Sequence, residues 1–247
     1  MSTFQVAEKK SMHVQEQIPV KAVQGSANAS TNHLDVEEEL AFYSSYHSNK
    51  VNQIIHFICI PQILWTWLIV AAHVSPPGAK AINFCLGLTF QPNLAFVWMV
   101  SYMTYYILLD PFGGLSYVPV GTVLYLSATF VADSRPSWLP GVDSSEISPS
   151  VLPFTLAVHV CAWVAQFIGH GFFEHRAPAL TDSLVQALVL APFFVHLESL
   201  FYFFNYKPKL QKKIKAKADL RIKRFTQEKK ALKQAEAVVA TDSAKSE

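Results

Sequence analysis

Charged residues are scarce in this chain. Asp, Glu, Lys and Arg make up 15% of its 247 residues, whereas 51% of the residues are hydrophobic and 13% are aromatic. Ordinary soluble domains carry about 25% charged residues. The shortage of charge therefore argues against a soluble globular protein and favours a protein embedded in lipid, and no nucleic-acid partner is expected.

Cysteine is also scarce, and several motifs of soluble enzymes are missing. The three cysteines lie in apolar runs and form no CxxC pair, which argues against a disulfide framework and against covalently attached haem. The chain has no GxSxG nucleophile elbow, no P-loop and no GxGxxG dinucleotide fingerprint. With nine histidines in all, it also lacks the repeated histidine boxes of a membrane desaturase.

Long apolar runs are what the chain has instead. Several of the runs approach the roughly 20 residues that span a bilayer as a helix. Prolines interrupt them, so a soluble all-helical enzyme with a very apolar core is the alternative. We predict an all-α, polytopic membrane helix bundle with about four full spans plus re-entrant or interfacial helices. The apolar runs cover residues 54–72, 81–109, 115–131, 151–169 and 184–204.

Composition divides the chain into three parts. Residues 1–35 are predicted to be a disordered N-terminal tail, and residues 36–206 are predicted to form the membrane-embedded helical domain. Residues 207–247 are predicted to form a basic C-terminal helix and tail, because residues 207–233 alone contain twelve Lys or Arg. The positive-inside rule places this tail in the cytosol. It would either lie near anionic lipid headgroups or form a solvated charged helix.

One apolar run continues into a segment with ionisable residues, QFIGHGFFEHRAPAL at residues 166–180. Successive helical residues turn by about 100°, so His159, Gln166, His170 and Glu174 would lie on one face. Ionisable groups in membrane helices are costly and commonly functional. A histidine and a carboxylate four residues apart suit metal ligation, whereas hydrogen bonding between helices is the alternative. For His159 we favour the hydrogen bond.

A second polar stripe lies in YHSNKVNQIIHFICIP, at residues 46–61. Asn52 and His56 would share one helix face. His47 lies nine residues before His56, so the two imidazoles can meet only if a bend or a helix start separates them. In the last apolar run, a carboxylate at Glu198 needs a cationic or metal partner, whereas His196 is interpreted as a hydrogen-bonded core histidine.

These two segments resemble the family of membrane 2-hydroxy fatty acid dioxygenases, formerly a domain of unknown function, and the resemblance covers residues 35–210. It implies a multi-pass protein of the endoplasmic reticulum membrane that uses Fe2+ and O2 to shorten 2-hydroxy fatty acids by one carbon, in fatty acid α-oxidation and phytosphingosine catabolism. The termini are both expected in the cytosol. By motif, the resemblance implies the iron ligands His47, His56 and His170. It also implies the catalytic residues Asn52, Glu174, Arg176 and Glu198.

Three questions stay open at this point: the role of the carboxylates, the class of function and the oligomeric state. Either Glu174 or Glu198 could ligate iron or orient an imidazole. A non-enzymatic lipid-binding or scaffold protein is the main alternative, because polar stripes also tie membrane helices together. A haem protein with two axial histidines is the other. The sequence leaves the oligomeric state open.

Overall fold

The computed structural model describes residues 35–84, 86, 88–142, 150–175, 178 and 183–244. Apart from Asp35, the predicted N-terminal tail lies outside these residues. The described chain is almost entirely helical. Its elements are α1 (Val36–Tyr46), α2 (Lys50–Ala72), β1 (Ile82–Asn83), β2 (Thr89–Phe90), α3 (Leu94–Leu109), α4 (Pro111–Ser134), α5 (Leu152–Ile168), a π-helical turn (Gly169–Glu174), a second π-helical turn (Val185–Leu190), α6 (Ala191–Phe204) and α7 (Pro208–Ala244).

Four helical stretches are long and apolar enough to cross a membrane. They are Lys50–Ala72, Pro111–Ser134, Leu152–Glu174 and Val185–Phe204. The predicted all-α bundle with about four spans is therefore confirmed. The remaining apolar run, residues 81–109, begins with an antiparallel hairpin in which Ile82 pairs with Phe90. Its helix α3 has 16 residues and is about 24 Å long, which is less than the ~30 Å hydrocarbon core.

Polar side chains fix where the helices begin. Asp35, Asn49, Asn93 and Asp110 each occupy an N-cap and accept a hydrogen bond from a backbone N–H of the first turn. These bonds satisfy donors that a helix start leaves without an intrahelical partner. Asp110 alone joins α3 to α4, and this tight turn depends on Gly114. A Cβ at Gly114 would lie 2.4 Å from the backbone nitrogen of Ile107.

The core packs aromatic side chains where α3, α4 and α6 meet. The Tyr106 ring stacks on Phe193, with centroids 4.6 Å apart. Its hydroxyl donates to the carbonyl of Val189 at 2.6 Å, and the Tyr102 hydroxyl donates to the carbonyl of Leu188 at 3.0 Å. Both carbonyls belong to the second π-helical turn. The tyrosines therefore anchor this irregular segment to α3.

Two histidines in the spans have structural partners, as the sequence indicates. His159 Nδ1 lies 2.8 Å from the Thr66 hydroxyl, and the Trp163 indole donates to His159 Nε2 at 3.0 Å. His196 Nε2 lies 2.8 Å from the Ser116 hydroxyl. The bonds to Thr66 and Ser116 join α5 to α2 and α6 to α4. The interpretation of His159 and His196 as hydrogen-bonded histidines is confirmed.

The basic helix α7 packs against α1, a contact that neither reading of the tail predicted. Ile214 and Ala218 of α7 are buried, although most of that helix is polar. Ion pairs then join the acidic start of α1 to the basic face of α7. They are Glu37–Lys213, Glu37–Lys217, Glu38–Lys217 and Glu38–Arg221. Three basic side chains of α7 are thus paired with two carboxylates of α1, and the membrane domain and basic helix are in contact.

The contact between α1 and α7 is expected to loosen at acid pH. The hydrogen bonds from Lys217 lower the carboxyl pKa values of Glu37 and Glu38 below 4.5 and raise the pKa of Lys217 to about 12. Groups with lowered pKa values stabilise the folded state fully above pH 4.5, and this contribution is lost as the pH falls through the lowered values. Amide hydrogen exchange, corrected for intrinsic rates, should show loss of α7 protection in that range.

A charge-neutral variant tests the same contact at neutral pH. Glu38→Gln should increase exchange in α7 about twofold to fivefold, since partly exposed pairs are each worth about 0.2–1 kcal/mol. Glu236→Gln, at an exposed position of α7, serves as the control and should change the exchange rates of α7 little. Equal effects of the two substitutions would contradict a specific contact at Glu38.

Candidate metal centre

Three buried histidines converge at one end of the bundle. His47 follows the last residue of α1, His56 lies near the start of α2, and His170 lies in the π-helical turn after α5. Each is 3% exposed. Ring centroids are 4.3 Å apart for His47 and His56, 5.0 Å for His47 and His170, and 4.8 Å for His56 and His170. One possible ligand atom from each of the three histidines lies within 4.8 Å of the other two.

A break between two helices lets His47 and His56 meet. On one continuous helix they would point in opposite directions, because nine residues turn through about 900°. Helix α1 ends at Tyr46 and α2 starts at Lys50. The Asn49 side chain accepts from the backbone N–H of Val51 at 2.8 Å and so caps the new helix. The expectation that a helix start separates the two histidines is confirmed.

Backbone carbonyls set the protonation of two of the imidazoles. His47 Nδ1 lies 2.8 Å from the carbonyl oxygen of Tyr43, and His56 Nδ1 lies 2.9 Å from that of Asn52. A carbonyl oxygen can only accept, so Nδ1 carries the proton in both rings and Nε2 carries the lone pair. Histidines that bind metals commonly donate their second N–H to such a carbonyl. The Tyr43 ring also stacks on His47 with centroids 4.0 Å apart, which fixes the ring plane.

Glu174 lies beside the histidines, but its carboxylate forms hydrogen bonds to the start of α2. Its carboxylate accepts from the Ser48 hydroxyl at 2.7 Å, from the Asn49 backbone N–H at 2.7 Å and from the Asn52 amide at 3.2 Å. These donors belong to the start of α2, so Glu174 joins the end of the α5 segment to that helix. Among the described residues, the close group of possible metal ligands contains the three histidines and no carboxylate.

The side chains of His170 and Glu174 both turn toward the break between α1 and α2, in agreement with the single polar face predicted for them. The face was drawn for a regular helix of 3.6 residues per turn, whereas residues Gly169–Glu174 form a π-helical turn. Residues four apart still lie on nearly the same side of such a turn, because i to i+5 bonding gives between four and five residues per turn. His170 thereby reaches the histidine group, and Glu174 reaches the start of α2. Such π-helical turns within helices are frequent at functional sites.

Gly169 permits the close approach of the α5 segment to α2. A Cβ at this position would lie 2.3 Å from Asn52 Oδ1, a separation that real Cβ atoms do not reach. Asn52 is fully buried, and its carbonyl holds His56 while its amide donates to Glu174. Asn52 therefore connects the histidine group to the helix cap, which gives a physical basis for its predicted importance.

Glu198 and Arg176 are the remaining predicted site residues. Glu198 is half-buried in α6 and is within electrostatic range of Lys50 and Tyr43. It does not join the histidines as a close ligand. Arg176 lies outside the described residues. Sequence reasoning missed Tyr43 and Gln186, which line the cavity beside the histidines. Tyr43 could have been found four residues before His47, on the same helix face.

One cavity opens beside the three histidines, and a second cavity adjoins it. The smaller, of about 30 Å³, is lined by the three histidines together with Tyr43, Gln166 and Gln186, among others. The larger, of about 230 Å³, lies among apolar and aromatic side chains that include Trp67 and Trp98. The two cavities share the wall residues Ile60, Trp163, Gln166 and Ala187. A small cavity lined in part by imidazole and amide side chains thus adjoins a larger apolar cavity.

Comparison with known proteins relates this arrangement to a family. The family described as 2-hydroxy-palmitic acid dioxygenase Mpo1-like matches residues 33–202. The 2-hydroxy-palmitic acid dioxygenase MPO1 of Saccharomyces cerevisiae is 33% identical over 190 residues, which cover 77% of this chain and 92% of the yeast protein. No solved structure matches the chain. The match includes all three histidines and all four membrane-spanning stretches except the last two residues of the fourth. The chain therefore belongs to the Mpo1-like family.

Proposed function

We propose that this protein is a membrane dioxygenase that uses Fe2+ and O2 to convert 2-hydroxy fatty acids into fatty acids one carbon shorter. The observation that carries the proposal is the group of three buried imidazoles beside an apolar cavity. The name of the yeast relative, a 2-hydroxy-palmitic acid dioxygenase, supports both the reaction and the substrate class. The proposed place of this reaction is fatty acid α-oxidation, including the breakdown of phytosphingosine.

The donor set fits a metal ion. Neutral imidazoles are ligands for zinc, copper, iron and nickel, and the carbonyl bonds at His47 and His56 leave Nε2 as the ligand atom. His47, His56 and His170 would hold the ion. When bound, Fe2+ would supply the redox chemistry that molecular oxygen requires, with coordination positions that the protein leaves to substrate and oxygen.

The residues around the histidines have separate roles in this proposal. Tyr43 and Asn52 keep the His47 and His56 rings in position through their carbonyls. Glu174 fixes the start of α2 relative to the segment that carries His170. The apolar cavity among Trp67, Trp98 and Leu64 would take the acyl chain, since burial of each CH2 group contributes about 0.8 kcal/mol. The acyl chain of the substrate would then extend from the histidines into the helix bundle.

Topology supports a site at the cytosolic face. Four spans return the chain to its starting side, and the direct contact between α1 and α7 places both ends of the membrane domain together. The basic residues of α7 favour the cytosol for that side. We infer that both termini are cytosolic and that the histidines, next to α1, lie near the cytosolic surface. The endoplasmic reticulum membrane is the proposed compartment.

Purified protein in detergent or nanodiscs tests the function directly. Elemental analysis should give about one iron per chain, with no Soret band of haem. Addition of 2-hydroxypalmitate should start oxygen uptake and produce the fifteen-carbon acid, whereas palmitate and 3-hydroxypalmitate should produce neither effect. Protein that lacks metal and moves fatty acids between vesicles without consuming oxygen would instead be a lipid carrier. A Soret band would indicate a haem protein.

A further inference from the structure

Three residues that line the small cavity beside the histidines each carry a buried polar atom without a hydrogen-bond partner among the described residues. Tyr43, Gln166 and Gln186 all line it, and they are 2%, 8% and 1% exposed. Within the described part of the chain, the Tyr43 hydroxyl, Gln166 Nε2 and Gln186 Oε1 are buried without a hydrogen-bond partner. Folded proteins leave few such atoms unpaired, so three around one cavity require an explanation.

Neighbouring side chains hold two of these groups in place. Gln186 Nε2 donates to the Glu39 carboxylate and, at 3.2 Å, to the Glu39 carbonyl. Both partners can only accept, so the amide orientation is fixed and Gln186 Oε1 is the end left without a donor. The Tyr43 ring lies between His47 and Phe194, with centroids 4.0 Å and 5.3 Å away. Its hydroxyl therefore has a defined position.

The three unpaired atoms form a complementary set. The Tyr43 hydroxyl and Gln166 Nε2 are donors without an acceptor, and Gln186 Oε1 is an acceptor without a donor. A carboxylate supplies acceptors only, whereas a hydroxyl on the neighbouring carbon supplies a donor as well. A 2-hydroxy acid head group offers a matching partner for each of the three atoms, whereas a plain fatty acid offers no donor for the Gln186 oxygen.

We propose that the small cavity is the binding site for the head group of a 2-hydroxy acid, an inference that rests on the proposed function. Tyr43 and Gln166 donate hydrogen bonds to the carboxylate, and Gln186 accepts one from the 2-hydroxyl. Gln166 lines both cavities, so it marks the point where the polar head gives way to the acyl chain. The protein thus selects the 2-hydroxyl through its own side chains, independently of a metal.

Binding measurements on purified protein test this site without turnover. Trp67, Trp98 and Trp163 line the larger cavity, so an acyl chain there should change the intrinsic tryptophan fluorescence. Titrations with 2-hydroxypalmitate and palmitate are made on chelator-treated, metal-free protein and on the ferrous protein under argon. Metal-free wild-type protein should bind 2-hydroxypalmitate about tenfold more tightly than palmitate.

Two substitutions examine the donors separately. Tyr43→Phe and Gln166→Leu should each weaken binding of 2-hydroxypalmitate about tenfold or more, because hydrogen bonds to charged groups are the strong ones. Iron content and thermal stability should stay at the wild-type level in Tyr43→Phe, since its hydroxyl bonds nothing in the described chain. Gln62→Leu, at an exposed position of α2, is the control and should bind normally.

The outcomes separate this inference from the proposed function. Active, iron-containing wild-type protein whose metal-free form binds both acids equally would overturn the head-group site and leave the dioxygenase standing. Normal affinity in both Tyr43→Phe and Gln166→Leu would have the same meaning. Wild-type protein that binds 2-hydroxypalmitate preferentially but shows no oxygen uptake would instead count against the dioxygenase and support the binding site.

Discussion

Replacing His56 by alanine should remove the metal and reduce oxygen uptake with 2-hydroxypalmitate at least about 100-fold. His56 is buried, its ring lies 4.3 Å and 4.8 Å from the other two by centroid distance, and Asn52 holds its Nδ1. Loss of a residue that only orients a ligand costs about 10–100-fold in metal affinity or activity. Loss of one of three ligands is expected to exceed that range. Iron per chain and the initial rate of oxygen uptake are the measurements.

His73 provides a matched control within the same helix. His73 lies at the other end of α2 and its Nδ1 contacts the carbonyl of Ile69 at 2.8 Å, the same pattern of bonding as at His56. It belongs to no close group of possible ligands among the described residues. His73→Ala should therefore retain iron and activity. Full iron content in a folded His56→Ala protein would mean that the metal, if any, lies elsewhere.

The membrane architecture could be predicted because span length and composition are strong local signals. The prediction of four spans with one shorter run holds, since a bilayer sets a minimum length for an apolar helix. The hairpin before α3 was missed, because its strands have two residues each and carry no periodicity. The contact of α1 with α7 was missed for a different reason: it depends on charges about 180 residues apart in the sequence.

The three histidines of the candidate site could be predicted, but the backbone geometry that brings them together could be predicted only in part. The family resemblance named His47, His56 and His170. A continuous helix, which turns by about 100° per residue, would put the first two on opposite faces, so a helix start between them could also be predicted. The π-helical turn at Gly169–Glu174 could not be foreseen, because helix periodicity assumes a regular pitch. Gln186 was missed because it becomes significant only when separate helical segments enclose the cavity, whereas the position of Tyr43 one turn before His47 was a usable signal.

Two substitutions at Glu174 should decide whether a carboxylate belongs to the metal site. The structure gives Glu174 the role of a cap that accepts from Ser48, Asn49 and Asn52. Glutamine keeps one carbonyl oxygen for the Asn49 and Asn52 donors and places its amide beside the Ser48 hydroxyl, which can accept. Glu174→Gln should therefore keep its iron and lose less than about tenfold in activity. Glu174→Ala removes every bond and should lose about 10–100-fold in iron affinity.

If Glu174 were a metal ligand, the opposite result would be expected for Glu174→Gln. A neutral amide is a far weaker ligand than a carboxylate, so a metal-bound Glu174 would make Glu174→Gln nearly as deficient in iron as Glu174→Ala. Ser48→Ala gives an independent comparison, because it removes one of the hydrogen bonds to Glu174 and leaves the carboxylate intact. If Glu174 serves as a cap, Ser48→Ala should cause a modest loss of activity, similar to that of Glu174→Gln. A metal ligand predicts that Ser48→Ala stays near wild type while Glu174→Gln fails, so the order of the three variants distinguishes the two roles.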